Sequence, residues 1–180
     1  MMKKVLIIST SLHKDSNSEY LAKEFEKGAK EAGNEVEFIS LVGKTIGFCT
    51  GCLACQKTQK CVIKDDAVEI AEKVKGADVL VFATPIYYYE MSGQMKTLLD
   101  RCNPLFPSDY AFRDVYLLST AADEDESAMD GAVKGLQGWI DCFEKARLAG
   151  AVRGVGIGDS GEAKKHTDLL VKVYTLGKNV

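Results

Sequence analysis

Four of the six cysteines in this chain lie within one short stretch. Cys49, Cys52, Cys55 and Cys61 follow the pattern C-x2-C-x2-C-x5-C, which resembles the compact runs whose thiolates ligate a [4Fe–4S] cluster. A structural zinc site usually separates two close pairs by a longer span, so zinc is less favoured. Two other interpretations stay open: a redox pair such as Cys49 and Cys52, or a reduced loop that binds no metal.

A second group of polar side chains follows the first apolar run of the chain. Hydroxyl and amide side chains crowd the ten residues before a helical pattern, at Ser9, Thr10, Ser11, Ser16, Asn17 and Ser18, with His13 among them. One helix cap needs only one such residue, so the surplus favours an anion at a helix N-terminus. No G-x-G-x-x-G and no G-x-x-x-x-G-K-[ST] occurs, which disfavours a dinucleotide or a triphosphate. The loop therefore predicts a site for a single terminal phosphate, as in FMN.

A third candidate segment covers residues 83–93. Pro85 fixes a turn, and Tyr87, Tyr88 and Tyr89 follow it in succession. Planar rings with polar tips suit a flat heteroaromatic ligand. Taken alone, such a loop is more often a packing or interface feature. Its position opposite the hydroxyl-rich loop favours the ligand interpretation.

The elements that must position these residues alternate between strands and helices. Apolar β-branched runs predict strands at 5–8, 36–39, 78–83, 115–118 and 151–157, and helical periodicity predicts helices at 18–32, 65–75, 93–102, 130–146 and 162–176. This alternation indicates a parallel sheet covered on both faces. Each candidate loop then follows a strand, and open sheets of this class bind ligands beyond the carboxyl ends of their strands. The long connection 41–64 holds the cysteines, and such long connections are usually functional.

Length and charge narrow the class of protein. At 180 residues the chain suits one domain, 1–180, with a cysteine-rich loop at 46–63. With 23 basic and 26 acidic residues the net charge is −3, so we expect no nucleic-acid partner. The apolar run at 5–8 is too short to span a membrane, and no signal-like cleavage site follows it. We therefore expect a cytoplasmic protein whose thiols are reduced.

Three motifs together resemble a known family. They are S-x-H-x-x-x-N-S at 11–18, T-P-I-Y-Y-Y-E-M-S-G-Q-M-K-T-L-L-D-R at 84–101, and C-x2-C-x2-C-x5-C-x3-D-D at 49–66. The chain is similar to the flavodoxin-like NAD(P)H-dependent FMN reductases, and most similar to the cysteine-bearing branch that includes the iron-sulfur flavoproteins. The resemblance implies an α/β three-layer sandwich with a five-stranded parallel sheet in the order 2-1-3-4-5.

The resemblance also assigns cofactor-binding residues. The phosphate stretch comprises Ser9, Ser11, His13, Asn17 and Ser18, the isoalloxazine stretch Pro85, Ile86, Tyr87, Tyr88, Ser92 and Gly93, and a third loop Ser119, Ala121 and Asp123. The family's usual G-S-P-R is Thr10-Ser11-Leu12-His13 here. Without the arginine, phosphate recognition is left to hydroxyls, backbone amides and His13.

The expected activity is an FMN-dependent oxidoreductase that takes a hydride from NAD(P)H and passes electrons to a quinone, a free flavin or a [4Fe–4S] cluster on Cys49, Cys52, Cys55 and Cys61. The partners are then a small-molecule donor and acceptor, in a homodimer or homotetramer, and no side-chain acid or base is expected to be essential. Two alternatives remain: a flavodoxin-type electron carrier without NAD(P)H activity, and a thiol or metal redox sensor.

Several other residues are expected to be structural. Cys102 and Cys142 fall within helical patterns and are expected to be buried. Asp65 is expected to cap a helix, and Arg101 to end one.

Overall fold

The computed structural model describes residues 1–180 and contains one central sheet. Its strands are β1 (Lys4–Ser9), β2 (Glu35–Ser40), β3 (Val79–Tyr87), β4 (Glu90–Met91), β5 (Asp114–Thr120) and β6 (Arg147–Gly154). The parallel strands lie in the order β2-β1-β3-β5-β6. Counting only these five, the predicted order 2-1-3-4-5 is confirmed. The short β4 was not predicted, and it pairs antiparallel with the end of β3.

Helices cover both faces of the sheet. They are α1 (Asn17–Glu31), α2 (Cys55–Thr58), α3 (Asp66–Gly76), α4 (Gly93–Arg101), α5 (Asp130–Ile140) and α6 (Thr167–Lys178). The residues of β1, β3 and β5 are almost continuously buried, as strands covered on both faces require. Alternate strand residues pack against α1 and α6 on one face and against α3, α4 and α5 on the other. None of the helices combines the length and the apolar character that crossing a membrane requires.

Helices α1 and α6 approach each other at two glycines. A Cβ at Gly28 would lie well inside contact distance of the Tyr174 carbonyl oxygen, and one at Gly177 would do the same to the Phe25 carbonyl oxygen. Backbone therefore meets backbone at this crossing, which only glycine permits. This contact fixes how closely α1 and α6 lie beside each other on the sheet.

The later elements differ from their predicted bounds. Helix α5 ends at Ile140 because the chain turns through residues 141–146, and the predicted last helix is split at His166 into a short 3₁₀ turn and α6. Strand β6 begins at Arg147, four residues before the predicted 151. The register of its pairing with β5 shifts at an irregularity between Val115 and Tyr116 of β5. The expectation that Cys142 is buried was wrong, because it lies in the turn after α5 and is exposed, whereas Cys102 is buried.

Candidate functional site

A cleft of about 320 Å³ opens at the carboxyl edge of the sheet. The loops after β1, β5 and β6 and the last residues of β3 line it, and its volume is typical of a small-molecule site. The lining residues are Ser11, His13, Asp15, Ser16, Asn17, Pro85, Ile86, Tyr87, Thr120, Ala121, Ala122, Ile157, Gly158 and Ser160. A larger groove of about 640 Å³ lies between α4 and the start of the cysteine loop, but it contains only Leu12 and Gly93 from the loops in which cofactor contacts were predicted.

One end of the cleft is the N-terminus of α1. Ser16 caps this helix through its side chain, which accepts a hydrogen bond from the Glu19 amide. The Ser11 hydroxyl oxygen accepts one from the His13 amide at 3.2 Å. The first amides of a helix have no intrahelical acceptor and carry the positive end of the helix dipole. Hydroxyls and free amides therefore meet here, which is the chemistry of a phosphate site.

Asn17 ties this end of the cleft to the loop after β6. Its side-chain amide donates to the Asp159 carbonyl at 2.8 Å and accepts from the Ala163 amide at 3.0 Å. Both groups of the Asn17 side chain thus have protein partners. That loop contributes Gly158 and Ser160 to the cleft, and its participation was not predicted because it contains no pattern that indicates ligand binding.

The other end of the cleft is flat and largely apolar. Pro85, Ile86 and Tyr87 form one wall at the end of β3, and Ala121, Ala122 and Ile157 lie on the opposite loops. Thr120 adds a hydroxyl at the end of β5. Apolar lining residues with polar groups at the edge suit a planar heteroaromatic ring.

The wall from β3 continues into a tight hairpin with β4. Tyr88 and Tyr89 occupy its two turn positions with φ values of 50° and 63°. Hairpin turns of this kind normally use Asn and Gly, because bulky residues are strained at positive φ. The turn is held from behind by α5, where a Cβ on Gly131 would collide with the Tyr89 carbonyl oxygen. Tyr88 is fully exposed.

Four of the predicted contact residues are buried behind the cleft and bond to the protein. Ser9 donates to Glu19 at 3.1 Å, Ser18 shares a hydrogen bond with Ser16 at 3.1 Å, and Ser119 donates to the Val152 carbonyl at 2.9 Å. Ser92 caps α4. These hydroxyls do not line the cleft; they hold the strands and helices that form it.

Three other predicted residues also lie outside the cleft. Tyr88 is in the exposed turn, Gly93 lines the neighbouring groove, and Asp123 accepts a 3.4 Å hydrogen bond from Tyr89. The predicted residues that do line the cleft are Ser11, His13, Asn17, Pro85, Ile86, Tyr87 and Ala121.

Buried hydroxyls connect the first loop to the third. The Thr10 hydroxyl donates to the Ala83 carbonyl at 2.9 Å, and it shares a 3.1 Å hydrogen bond with the Ser92 hydroxyl. The Ser92 backbone amide donates to the Thr84 hydroxyl at 3.0 Å. All of these hydroxyl residues are fully buried. These hydrogen bonds therefore join the loop after β1 to the end of β3 and to the start of α4.

The four clustered cysteines line one small cavity of about 20 Å³. Gly51, Leu53 and Gln59 all have positive φ, which lets the backbone wrap around it. Cys55 is buried at the start of α2 and accepts a 3.2 Å hydrogen bond from the Asn103 side chain. No three His, Cys, Asp or Glu side chains are arranged so that they could hold a single metal ion.

An ion pair closes the base of the cysteine loop. Arg101, whose side chain is fully buried, donates to both oxygens of Asp65 at 2.6 and 2.8 Å. Burial alone would raise the pKa of Asp65, but the hydrogen bonds from Arg101 and from the amides of Gly47 and Ala67 outweigh it and lower that pKa. Asp65 also caps α3, as predicted. The pairing with Arg101 was not predicted, because the two residues are 36 positions apart and no pattern in a single sequence indicates such a contact.

Cys102, beside this pair, differs from the four clustered cysteines. It is completely buried, and burial raises its pKa to about 12. A thiol in such an environment stays protonated and inert. The expected structural role of Cys102 is consistent with this position.

The donor sets match the two groups that the sequence suggested. The cleft offers hydroxyls and helix amides at one end and a flat apolar slot at the other, which fits a flavin mononucleotide. The cysteine cavity offers four thiols, the ligand type that iron-sulfur clusters require. Arg101 also lines that cavity, and its buried Nε–H has no hydrogen-bond acceptor in the chain.

Curated relatives match part of this chain. An iron-sulfur flavoprotein of Methanocaldococcus jannaschii is 41% identical over 102 residues, which cover 57% of this chain and 53% of the relative. An iron-sulfur flavoprotein of Archaeoglobus fulgidus is 40% identical over 95 residues, covering 53% and 49%. The chain thus spans about half the length of these relatives.

Solved structures share the fold over nearly the whole chain. An NAD(P)H:quinone oxidoreductase from Methanothermobacter marburgensis superimposes with a TM-score of 0.72 at 16% identity, covering 99% of both chains. An azoreductase from Bacillus anthracis gives 0.75 at 17%, covering 99% of this chain and 100% of the other. These likenesses confirm the flavodoxin-like architecture. The profile of one family matches residues 3–152, and the chain therefore belongs to the NADPH-dependent FMN reductase family.

Proposed function

We propose that residues 1–180 act as one FMN-binding domain that catalyses electron transfer from NAD(P)H. The observation that carries this proposal is the cleft, where the N-terminus of α1 and the apolar slot between Pro85–Tyr87 and Ala121–Ala122 offer both halves of a mononucleotide site. Membership of the NADPH-dependent FMN reductase family supports the same conclusion. Bound FMN would supply the hydride chemistry at its N5 atom.

The chain's own residues bind and orient this group. Ser11, Ser16 and the first amides of α1 would hold the phosphate, with His13 at the rim. Pro85, Ile86 and Tyr87 would lie along the ring. The buried Thr10–Ser92 hydrogen bond keeps these two sets at a constant separation. In this proposal no side chain acts as a general acid or base.

An anaerobic titration tests this function. The purified chain is loaded with FMN, desalted and mixed with NADPH or NADH, while the visible absorbance of the flavin is followed. We expect one FMN per chain and bleaching within seconds. A protein that retains no FMN would refute the proposal. A protein that retains FMN but is not bleached by either nucleotide would instead support the electron-carrier alternative.

We further propose that the four-cysteine loop accepts electrons from the flavin through a [4Fe–4S] cluster on Cys49, Cys52, Cys55 and Cys61. The four thiols lie around one cavity, and Asn103 already donates a hydrogen bond to Cys55. Quantifying iron, sulfide and FMN after anaerobic purification tests this. About four irons per chain are expected, and a chain with FMN but no iron would be a flavin reductase alone.

We propose a small-molecule electron donor and acceptor and a homodimer or homotetramer. Exposed aromatic residues beside the cleft and the cysteine loop, Tyr88 and Phe48 among them, support an assembly in which they are covered. Light scattering coupled to gel filtration measures the assembly, and cell fractionation tests the proposed cytoplasmic location.

A further inference from the structure

Arg101 is the one charged residue among the 58 buried residues of this chain. Its side chain has no exposed surface, and it is the largest of the fully buried side chains. A buried charge is costly unless it is well compensated, and many buried ion pairs can be replaced by apolar residues without loss of stability. Its presence at the end of α4 therefore suggests a role beyond packing.

The contacts of Arg101 join the two ends of the cysteine loop. Nη1 donates to the Gly47 carbonyl at 2.8 Å, before the first cysteine, and Nη2 donates to the Ile63 carbonyl at 3.0 Å, after the last. Asp65 completes the arrangement by accepting from Arg101 and from the Gly47 amide at 2.8 Å. One guanidinium thus closes the loop and attaches it to α4.

The same side chain faces the cysteines. Arg101 and Asn103 both line the cavity formed by the four thiols. A guanidinium is always charged in proteins, and two hydrogen bonds to Asp65 hold this one in place. Its Nε–H is the only buried side-chain nitrogen or oxygen group in the chain without a partner. An unpaired donor beside a set of thiols is expected to interact with an anion there.

We propose that Arg101 is the positioning residue of the four-cysteine site, holding the loop closed on α4 and keeping its unpaired Nε–H available as a hydrogen-bond donor to the sulfur ligands. This rests on the proposed cluster, because four thiolates and their iron-sulfur core carry net negative charge. Asp65 fixes the guanidinium in place through its two hydrogen bonds. Asn103 adds a hydrogen bond to the Cys55 sulfur, and such bonds to ligand sulfurs raise a cluster's reduction potential.

The position of Arg101 also links this site to the flavin cleft. Helix α4 begins at Gly93, directly after Ser92, whose hydroxyl is bonded to Thr10 in the first loop. It ends at Arg101, nine residues long and without a break. The cysteine loop and the flavin cleft are therefore attached to opposite ends of one rigid helix.

Three variants of the full chain, loaded with FMN, test the proposal. Arg101→Met with Asp65→Asn removes both charges and keeps the cap of α3, so no unpaired charge remains buried. Arg101→Lys keeps the charge but loses the planar fork that reaches both loop ends. Lys96→Met is the matched control, because Lys96 is an exposed cation of the same helix that pairs only with Asp100.

Three measurements are made on each protein. The first is the iron and sulfide taken up per chain during anaerobic reconstitution at increasing iron concentration. The second is hydrogen exchange of the amides at 47–64 without metal. The third is the midpoint potential of the reconstituted centre. FMN per chain is recorded throughout, since it reports the integrity of the other site.

We expect the double variant to need roughly 10- to 100-fold more iron for half-maximal uptake, the effect usual for groups that orient metal ligands. Its loop amides should exchange faster, and any reconstituted cluster should have a lower potential. Arg101→Lys should also exchange faster and have a lower potential, because lysine carries no N–H at the position of the arginine Nε. Lys96→Met should match the wild type throughout.

Wild-type iron uptake and wild-type exchange in the double variant would overturn the positioning role. Unchanged potential in the double variant would overturn the hydrogen-bonding role. A wild-type chain that takes up no iron would refute the cluster and the hydrogen-bonding role, while the exchange comparison would still decide whether Arg101 closes the loop. Loss of FMN from the wild type would refute the flavin proposal without affecting these comparisons.

Discussion

Replacing the hairpin turn Tyr88-Tyr89 by Asn-Gly should stabilise the protein. Both tyrosines have positive φ, which costs about 1–1.5 kcal/mol for each bulky residue. Asn and Gly adopt this conformation readily, so about 2–3 kcal/mol of strain is relieved. Glycine gives back about 1 kcal/mol by making the unfolded chain more flexible. The net gain is then about 1–2 kcal/mol.

Few native contacts are lost in this substitution. Tyr88 is fully exposed, and Tyr89 is 64% exposed with one long hydrogen bond to Asp123. For a chain of this size the gain corresponds to an increase in melting temperature of about 2–8 °C. Thermal unfolding followed by circular dichroism and urea unfolding followed by the fluorescence of Trp139 measure it.

The control is Tyr88→Phe, which removes the hydroxyl and keeps the backbone strain, so its melting temperature should equal that of the wild type. An Asn-Gly variant that is no more stable than the wild type would show that the turn stores no strain. FMN affinity is measured on the same proteins. If the stabilised variant binds FMN more weakly, the tyrosines contribute to the site, and the strain is kept for function.

Ser16→Ala should cost about 1 kcal/mol of stability through loss of the α1 cap, and it should weaken FMN binding about tenfold. An unchanged FMN affinity in equilibrium dialysis would exclude Ser16 from the phosphate site. Asp15→Asn should bind FMN about two- to fivefold more tightly, because a like charge that lines the cleft is removed; weaker binding in the same assay would argue against a phosphate there. The pKa of Asp65 is lowered in the folded state, so its stabilising contribution is present above the ordinary carboxyl pKa and is lost as the pH falls through the lowered value. Asp65→Asn should therefore flatten the acid limb of the stability–pH curve, and an unchanged limb in urea titrations would contradict this.

Much of the fold could be predicted from the sequence. Strands buried on both faces require apolar runs, so β1, β3 and β5 are visible in the sequence. The hydroxyl-rich loop was predictable because Ser11, Ser16 and Asn17 exceed what one cap needs. Both features depend on local composition, which a single sequence records directly.

The features that were missed depend on tertiary contacts. The β4 hairpin contradicts local preference, because Tyr88 and Tyr89 occupy positions that usually require Asn and Gly. The loop at 155–160 enters the cleft through its bonds to Asn17. Arg101 pairs with Asp65 across 36 residues. No periodicity or spacing indicates any of these contacts.

The contact between α1 and α6 has a consequence for how the protein family should be compared. The family match ends at residue 152, before α6 begins at Thr167. Yet Gly177 in α6 presses on the backbone of α1, the helix whose first turn forms one end of the cleft. A segment outside the shared region thus supports the part of the site that is shared. Relatives in which a different C-terminal segment packs against α1 must position the loop before α1 through other contacts. Differences in cofactor affinity between relatives are therefore best sought in that C-terminal segment.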